Sequence, residues 1–347
     1  MNVKTDDGPT LKDVAEAAGL SVTAVSKVIN NREGVSASNR KRVMQILEEM
    51  GYRGRGGKPA AALRELEAIT VITLDRYVTD NTFYNEIVEG VLEEASEQGV
   101  PAEFNIVPSA ALAAGETNLL WSEAPQAAVL IGLDRREVID AVCTANVPAV
   151  IANGMDRSMR ISSVSPDYHF GGWEATRYLL DQGHSDIVHV THTHRESIKL
   201  RLDGFRDALE EAGIAFSPER HVLDLGSPNR ISFEAREVVD RFLANRNEMP
   251  SALFCVADIV ALAAIQAIQA RGLSVPDDIS VMGFDDLPIG AHSTPPLTTM
   301  QIDRQEVGRM AIRLLMERIS GKKATVKRVG LNVDLIERRS VAAPSRT

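Results

Sequence analysis

Apolar positions in the first fifty residues recur at helical spacing. Leu11, Val14, Ala15 and Ala18 fall at i, i+3, i+4 and i+7, one face of a two-turn helix, with Thr10 as its N-cap and Asp13 three residues on. Gly19 ends that helix. Ser21 caps a second one only two residues later, with Val25, Val28 and Ile29 inward and Val22, Thr23, Ser26 and Lys27 left as an outward face. The pair forms a helix, a tight glycine-containing turn and a helix. A third helix begins at Ser36, with Val43, Ile46, Leu47 and Met50 inward and Gly51 as its stop.

From about Ile69 the pattern changes. Apolar runs at 69–74, 127–131, 187–191, 252–256 and 280–284 alternate with helical periodicity at 85–98, 170–182, 197–212, 258–270 and 304–320. Strands this apolar, separated by helices, predict doubly wound parallel α/β sheets covered on both faces. Roughly 270 residues is long for one such sheet, so the body is expected to be two-lobed.

Composition adds the compartment and the polarity of the chain. Of 347 residues only two are cysteines, Cys143 and Cys255, each in an apolar run without CxxC spacing. A disulfide framework and a zinc cluster are excluded, and a reducing cytoplasm is the default. The polar start MNVKTDDGPTLKDV has no apolar core of a signal peptide, and no stretch approaches the length of a membrane span. The expectation is a cytoplasmic protein with no membrane partner.

The net charge of −10 hides an asymmetry. Residues 1–66 hold 11 Lys/Arg and 8 Asp/Glu, leaving 27 and 40 for the rest. A nucleic-acid contact would therefore be confined to the head, because the acidic body repels phosphate. A basic run such as Lys27 to Lys58 also fits a solvated face, so charge alone leaves both readings open. Small polar and cationic residues near the start of the second helix suit a major groove about 12 Å wide.

The run TLKDVAEAAGLSVTAVSKVINNREGVSASNRKRVMQILEEMGY resembles the DNA-binding headpiece of LacI/GalR transcription regulators, matching nearly every signature position from Thr10 to Asn30. The resemblance implies a repressor that binds a pseudo-palindromic double-stranded DNA operator as a homodimer. It implies base reading by Val22, Thr23 and Lys27, and phosphate or positioning contacts from Thr10, Ser21, Ser26 and Asn30. After Tyr52 the family usually shows PNxxARxL, a hinge helix whose leucine wedges into the minor groove; this chain has RGRGGKPAAALREL. Gly54 stands for the proline, Arg55 for the asparagine and Ala61 for the leucine. A delayed hinge helix with Leu63 as the wedge and a flexible linker without a DNA role both fit.

The segments VPAVIANGMDR, GHSDIVHV, LRLDGFRDALEEAGI, VPDDISVMGFDD and PPLTTMQIDRQEVGRMA resemble the family's effector domain, related to periplasmic sugar-binding proteins. The expected organisation is a three-helix head at 1–53, a hinge at 54–67 and an effector-binding and dimerisation body at 68–347. Family topology places lobe one at about 68–165 with 290–325, and lobe two at about 166–289 with 326–347. The tail LIERRSVAAPSRT has no apolar heptads, which leaves dimer and tetramer both open.

Ligands of open α/β sheets bind beyond the strand C-termini. The candidates there are Asp75, Arg76, Tyr77, Phe83, Asn153, Phe170, Arg201, Asp258 and Asp285, with Tyr84 and Asn81 in the same loops. By resemblance Arg201 and Asp285 hydrogen-bond ligand hydroxyls. The plain alternatives are a turn cap for Asp285 and a surface pair with Asp203 or Glu196 for Arg201. The expected effector is a small polar, carbohydrate-related molecule, or one carrying an acidic or phosphate group. Ala257 precedes Asp258 where the family often has asparagine, a departure from the usual sugar site. His192 and His194 lack a third ligand nearby, so no metal is expected, and no other cofactor is implied. No GxSxG, HExxH, Walker or strand-linked GxGxxG pattern occurs. A stand-alone solute-binding protein and a sugar-metabolising α/β enzyme are the competing classes.

Overall fold

Each helix of the head begins on a side-chain cap that the sequence supplies locally. The computed structural model describes residues 10–29, 35–50, 66–79, 82–226, 232–320 and 325–344, in two compact units that divide after Leu66. Helix α1 (Leu11–Ala18) opens on a reciprocal box, in which the Asp13 carboxylate accepts the Thr10 amide at 2.6 Å while the Thr10 hydroxyl oxygen accepts the Asp13 amide at 3.4 Å. Gly19, at φ +63°, closes it in the left-handed region. Ser21 Oγ accepts the Ala24 amide at 3.1 Å to start α2 (Val22–Ile29), and Ser36 Oγ accepts the Asn39 amide at 3.3 Å to start α3 (Ala37–Glu49). Val14, Ala15, Ala18, Val25, Val28 and Val43 form the buried centre, with Ile46, Leu47 and Met50 packed on it.

In the body, β1 (Ile69–Leu74) is followed by α4 (Asp75–Thr79), α5 (Thr82–Glu97), β2 (Ala102–Val107) and α6 (Ser109–Ala113). Then come β3 (Ala128–Ile131), α7 (Arg136–Thr144), β4 (Ala149–Ala152) and β5 (Ser162–Pro166). The second half runs through α8 (Tyr168–Asp181), β6 (Ile187–Thr191), α9 (Glu196–Glu211), α10 (Pro218–His221), β7 (Val222–Asp224) and α11 (Ala235–Ala244). It continues with β8 (Ala252–Cys255), α12 (Asp258–Ala270), β9 (Ser280–Met282), α13 (Pro288–Ala291) and β10 (Thr299–Ile302). Helix α14 (Arg304–Ile319) and strands β11 (Arg328–Leu331) and β12 (Val333–Ile336) complete it.

Two parallel sheets result. The first has the order β11-β5-β4-β3-β1-β2 and the second β7-β6-β8-β9, which isolated bridges at Met282–Thr298 and Asp285–Gln301 extend to the antiparallel pair β10-β12. Central strands β3, β4, β6 and β8 are buried along their whole length, as strands covered on both faces must be.

The return points differ from those expected at 290 and 326. Strand β10 stays with the second sheet through its bonds to β12, so the chain re-enters lobe one only at α14. Strand β11 then pairs with β5 in the first sheet, and lobe two resumes at β12. These strands are four residues each, and their partners lie far away in sequence, so periodicity carried no signal for them.

One helix crossing in each lobe is built on paired glycines. A Cβ on Gly204 of α9 would sit 2.0 Å from the His169 carbonyl oxygen, and one on Gly172 of α8 would sit 2.2 Å from that of Arg201. In lobe one Gly90 of α5 and Gly308 of α14 meet the Gln305 and Ile87 carbonyls at 2.0 and 2.1 Å. Backbone cannot yield as a side chain does, so Gly204→Ala must push α8 and α9 apart. We expect it to cost about 3 kcal/mol, read as a lower urea midpoint by tryptophan fluorescence; an unchanged midpoint would show that the crossing tolerates a methyl group.

Candidate DNA-binding face and effector cleft

The outward side of α2 carries Val22, Thr23 and Lys27 in exposed positions, while Ser26 is half-buried. Thr10 and Ser21 are exposed too, but their hydroxyls already serve the helix caps described above. Asn30 and Leu63, with nearly all of the expected hinge, lie outside the described residues.

In the body, the candidates gather at the C-terminal ends of strands from both lobes. Tyr77, on α4 beyond β1, is buried and stacks on Tyr84 with ring centroids 3.8 Å apart, and Phe83 meets Tyr84 edge-on at 5.1 Å. The Arg76 guanidinium lies 5.0 Å over the Tyr77 ring and donates to its hydroxyl at 3.2 Å. Asp75 is exposed, and its carboxylate accepts the Ser109 amide and hydroxyl at 3.0 and 2.5 Å. Those bonds hold it below the usual carboxylate range and tie α4 to α6. Phe170, in the first turn of α8, is half-buried and stacks towards Trp173 at 6.2 Å.

Asn153, beyond β4, sits at φ +56° and accepts the Tyr168 hydroxyl from lobe two. Arg195, at the N-cap of α9 in lobe two, reaches back the same way. It donates to the Tyr84 hydroxyl at 2.6 Å and to the Asn153 carbonyl at 3.2 Å.

Arg201 is 6% exposed, and its guanidinium lies 4.1 Å from the Phe284 ring and 4.5 Å from Tyr168 while donating to the Val256 carbonyl. It makes no surface pair. Asp203 binds Arg206 and Glu196 binds Arg157 instead. Asp285 is buried at φ +119°, with one carboxylate oxygen unpartnered. It caps no turn. Burial pushes its carboxyl up to about 6 against the pull of Arg201 and Arg304.

Asp258 has a supporting place. Its oxygens accept the Thr299 hydroxyl at 2.5 Å and the Leu287 amide at 2.7 Å, so both are spent on holding the loop that carries Asp285. Burial, then the nearby Asp285, pushes it up to about 8.

Three further groups belong to this region. Asp134, beyond β3, has an unpartnered buried oxygen, and burial raises its carboxyl against the Arg195 charge. His192, beyond β6, accepts the His194 amide on Nδ1 at 3.1 Å and leaves Nε2 unpartnered. Burial, then the adjacent His194, lowers it to about 4, so it is neutral with its proton on Nε2. Tyr168 carries no motif; the one signal for it is its place at the start of a helix after a strand.

Residues 176–341 match the model of a periplasmic binding protein-like domain, and residues 10–54 match that of bacterial regulatory proteins, lacI family. A curated relative, the HTH-type transcriptional repressor PurR of Aliivibrio fischeri (strain ATCC 700601 / ES114), is 33% identical over 340 residues, 96% of this chain and 98% of the relative. The chain belongs to the lacI family. Among solved structures, the transcriptional regulator CelR–cellobiose complex shares 27% identity at TM-score 0.70, covering 96% of this chain and 99% of its own. The lac repressor dimer bound to operator and the anti-inducer ONPF shares 25% identity at TM-score 0.67, covering 97% and 100%. As a lacI-family member the protein is a DNA-binding transcriptional regulator with an effector-type body, not an enzyme, and the two competing classes fall away. No helix among the described residues is long and apolar enough to cross a membrane.

Proposed function

We propose that this lacI-family protein is a cytoplasmic repressor that binds a pseudo-palindromic operator as a homodimer through α2, and that a small neutral polyhydroxylated effector between its lobes sets operator affinity. The observation that carries the effector class is the set of unpartnered buried polar atoms beyond the strand ends. Asp134 and Asp285 each offer an acceptor, while His192 Nε2 and Arg201 Nε each offer a donor. A hydroxyl group both donates and accepts, so a polyol offers partners to groups of both kinds, with Tyr77, Tyr84 and Phe284 as apolar walls. An anion fits worse: Asp134 and Asp285 repel it, and the outer nitrogens of Arg195 already serve Tyr84 and Asn153. The CelR complex, of the same fold, holds cellobiose.

The DNA reading is tested by titrating labelled duplexes with the full-length protein at several salt concentrations. Lys27→Ala should weaken binding to the preferred site by about 1–3 kcal/mol if the ammonium reads a guanine edge. Equal affinity for random duplexes would refute sequence-specific binding. Arg201→Ala and Asp285→Ala should abolish release or tightening by the effector while leaving operator affinity intact, because the head is a separate unit. An unchanged effector midpoint in both variants would move the ligand out of this cleft.

A further inference from the structure

Arg304 stands where the chain crosses from the second lobe back to the first. Its backbone opens α14, just beyond β10, and its side chain is 6% exposed. Nε and Nη2 donate to the two oxygens of Glu86 on α5 at 3.0 and 2.9 Å, a two-pronged pairing within lobe one. Nη1 donates to the backbone carbonyl of Asp285 in lobe two, and the guanidinium lies 5.8 Å from the Phe83 ring. One buried side chain thus bonds α5, next to the aromatic wall, and the loop that carries the unpartnered carboxylate.

That loop is strained. Asp285 at φ +119° and Asp286 at φ +53° both occupy backbone regions that residues with a Cβ rarely adopt. Such strain persists only where the surroundings over-determine it. The Asp285 amide donates to the Met300 carbonyl at 2.8 Å, and its own carbonyl is held by Arg304, so the peptide is pinned at both ends. Other inter-lobe links among the described residues are of a different kind. Arg157–Glu196 joins a side chain that is 75% exposed and contributes little, and the bonds of Arg195 and of Tyr168 to Asn153 lie in the cleft itself.

We propose that Arg304 is a positioning residue that aims the Asp285 carboxylate and couples the Asp285 loop to α5, so that the loop's backbone setting and the angle between the lobes change together. The coupling extends the effector reading above, but its mechanical part does not depend on an effector. A lysine cannot replace it, since one ammonium cannot meet both Glu86 oxygens and the Asp285 carbonyl in the same planar geometry.

The test uses the full-length protein with Cys143→Ser and nitroxide labels on Arg136→Cys of α7 and Lys199→Cys of α9, one on each lobe, read by double electron–electron resonance. Arg304→Met should shift or broaden the inter-lobe distance distribution. Arg304→Lys and Glu86→Gln should do so partially, and Glu86→Gln should add nothing on top of Arg304→Met. A parental distribution in folded Arg304→Met overturns the coupling, even if its melting temperature falls. If that variant does not fold, parental distributions in both Arg304→Lys and Glu86→Gln overturn it equally. A shifted Arg304→Met distribution, with Arg201→Ala and Asp285→Ala variants that both answer a panel of mono- and disaccharides with the midpoint of a responding parent, keeps the coupling and refutes the effector reading.

Discussion

Replacing Phe104 and Ile106 together by glutamate should convert the protein to monomers and weaken operator binding by roughly 10²–10⁴-fold, the range by which linking two binding modules raises avidity. Strand β2 is an edge of the six-stranded sheet, and its outward face shows Phe104 and Ile106 at 45% and 48% exposure. A flat apolar edge of this kind invites pairing and is normally covered or charged. A second copy of the chain is the cover we propose, because two heads on a two-fold axis match a pseudo-palindromic site. Analytical ultracentrifugation gives the mass, and the same duplex titration gives the affinity. A double variant that stays dimeric with parental affinity would place the dimer contact elsewhere.

The second large effect is a fall in stability on the alkaline side. Asp258 is raised to about 8 and Asp285 to about 6, both above the ordinary carboxylate value of 3.8. A carboxyl whose folded pKa lies above its unfolded one binds protons more readily when folded. Its contribution is present at low pH and is lost as pH rises towards the folded value. The buried histidines act with the opposite sign: His189 at about 3 and His192 at about 4 resist protonation that the unfolded chain accepts near 6.5, so they erode stability as pH falls below that. The two sets separate above pH 7, where the histidines are neutral in both states and Asp258 alone is still titrating. Stability of the body should therefore peak near neutrality and fall between pH 7 and 9 with a slope of up to about 1.4 kcal/mol per pH unit. Asp258→Asn should flatten that limb. Both tryptophans, Trp121 and Trp173, belong to the body, so intrinsic fluorescence in urea series at each pH reports it without the head. A parental slope in Asp258→Asn would assign the fall to another group.

What the chain spelled out by itself is what depends on near neighbours. The capping box at Thr10 and Asp13, the glycine turn and the inward stripe of α2 are decided within a few residues, because caps and 3.6-residue periodicity are local. The boundaries of β1, β6 and α12 fall where the apolar runs put them for the same reason. Tertiary structure alone decided which lobe receives β10, β11 and β12, since a strand of four residues takes its identity from a partner over thirty or more than a hundred positions away. It also decided the roles within the cleft. Asp258 was legible as a polar group after a strand and Arg201 by its place before Gly204 in a segment that resembles the family, but only packing shows Arg201 pressed between two rings and Asp258 bound to the loop it supports. Arg304 lies more than two hundred residues from Glu86, and nothing local to either announces the pairing. The field and the hydrogen-bond donors a side chain meets are set by segments that folding brings together, so a residue's type can be read along the chain while its partner and its protonation cannot.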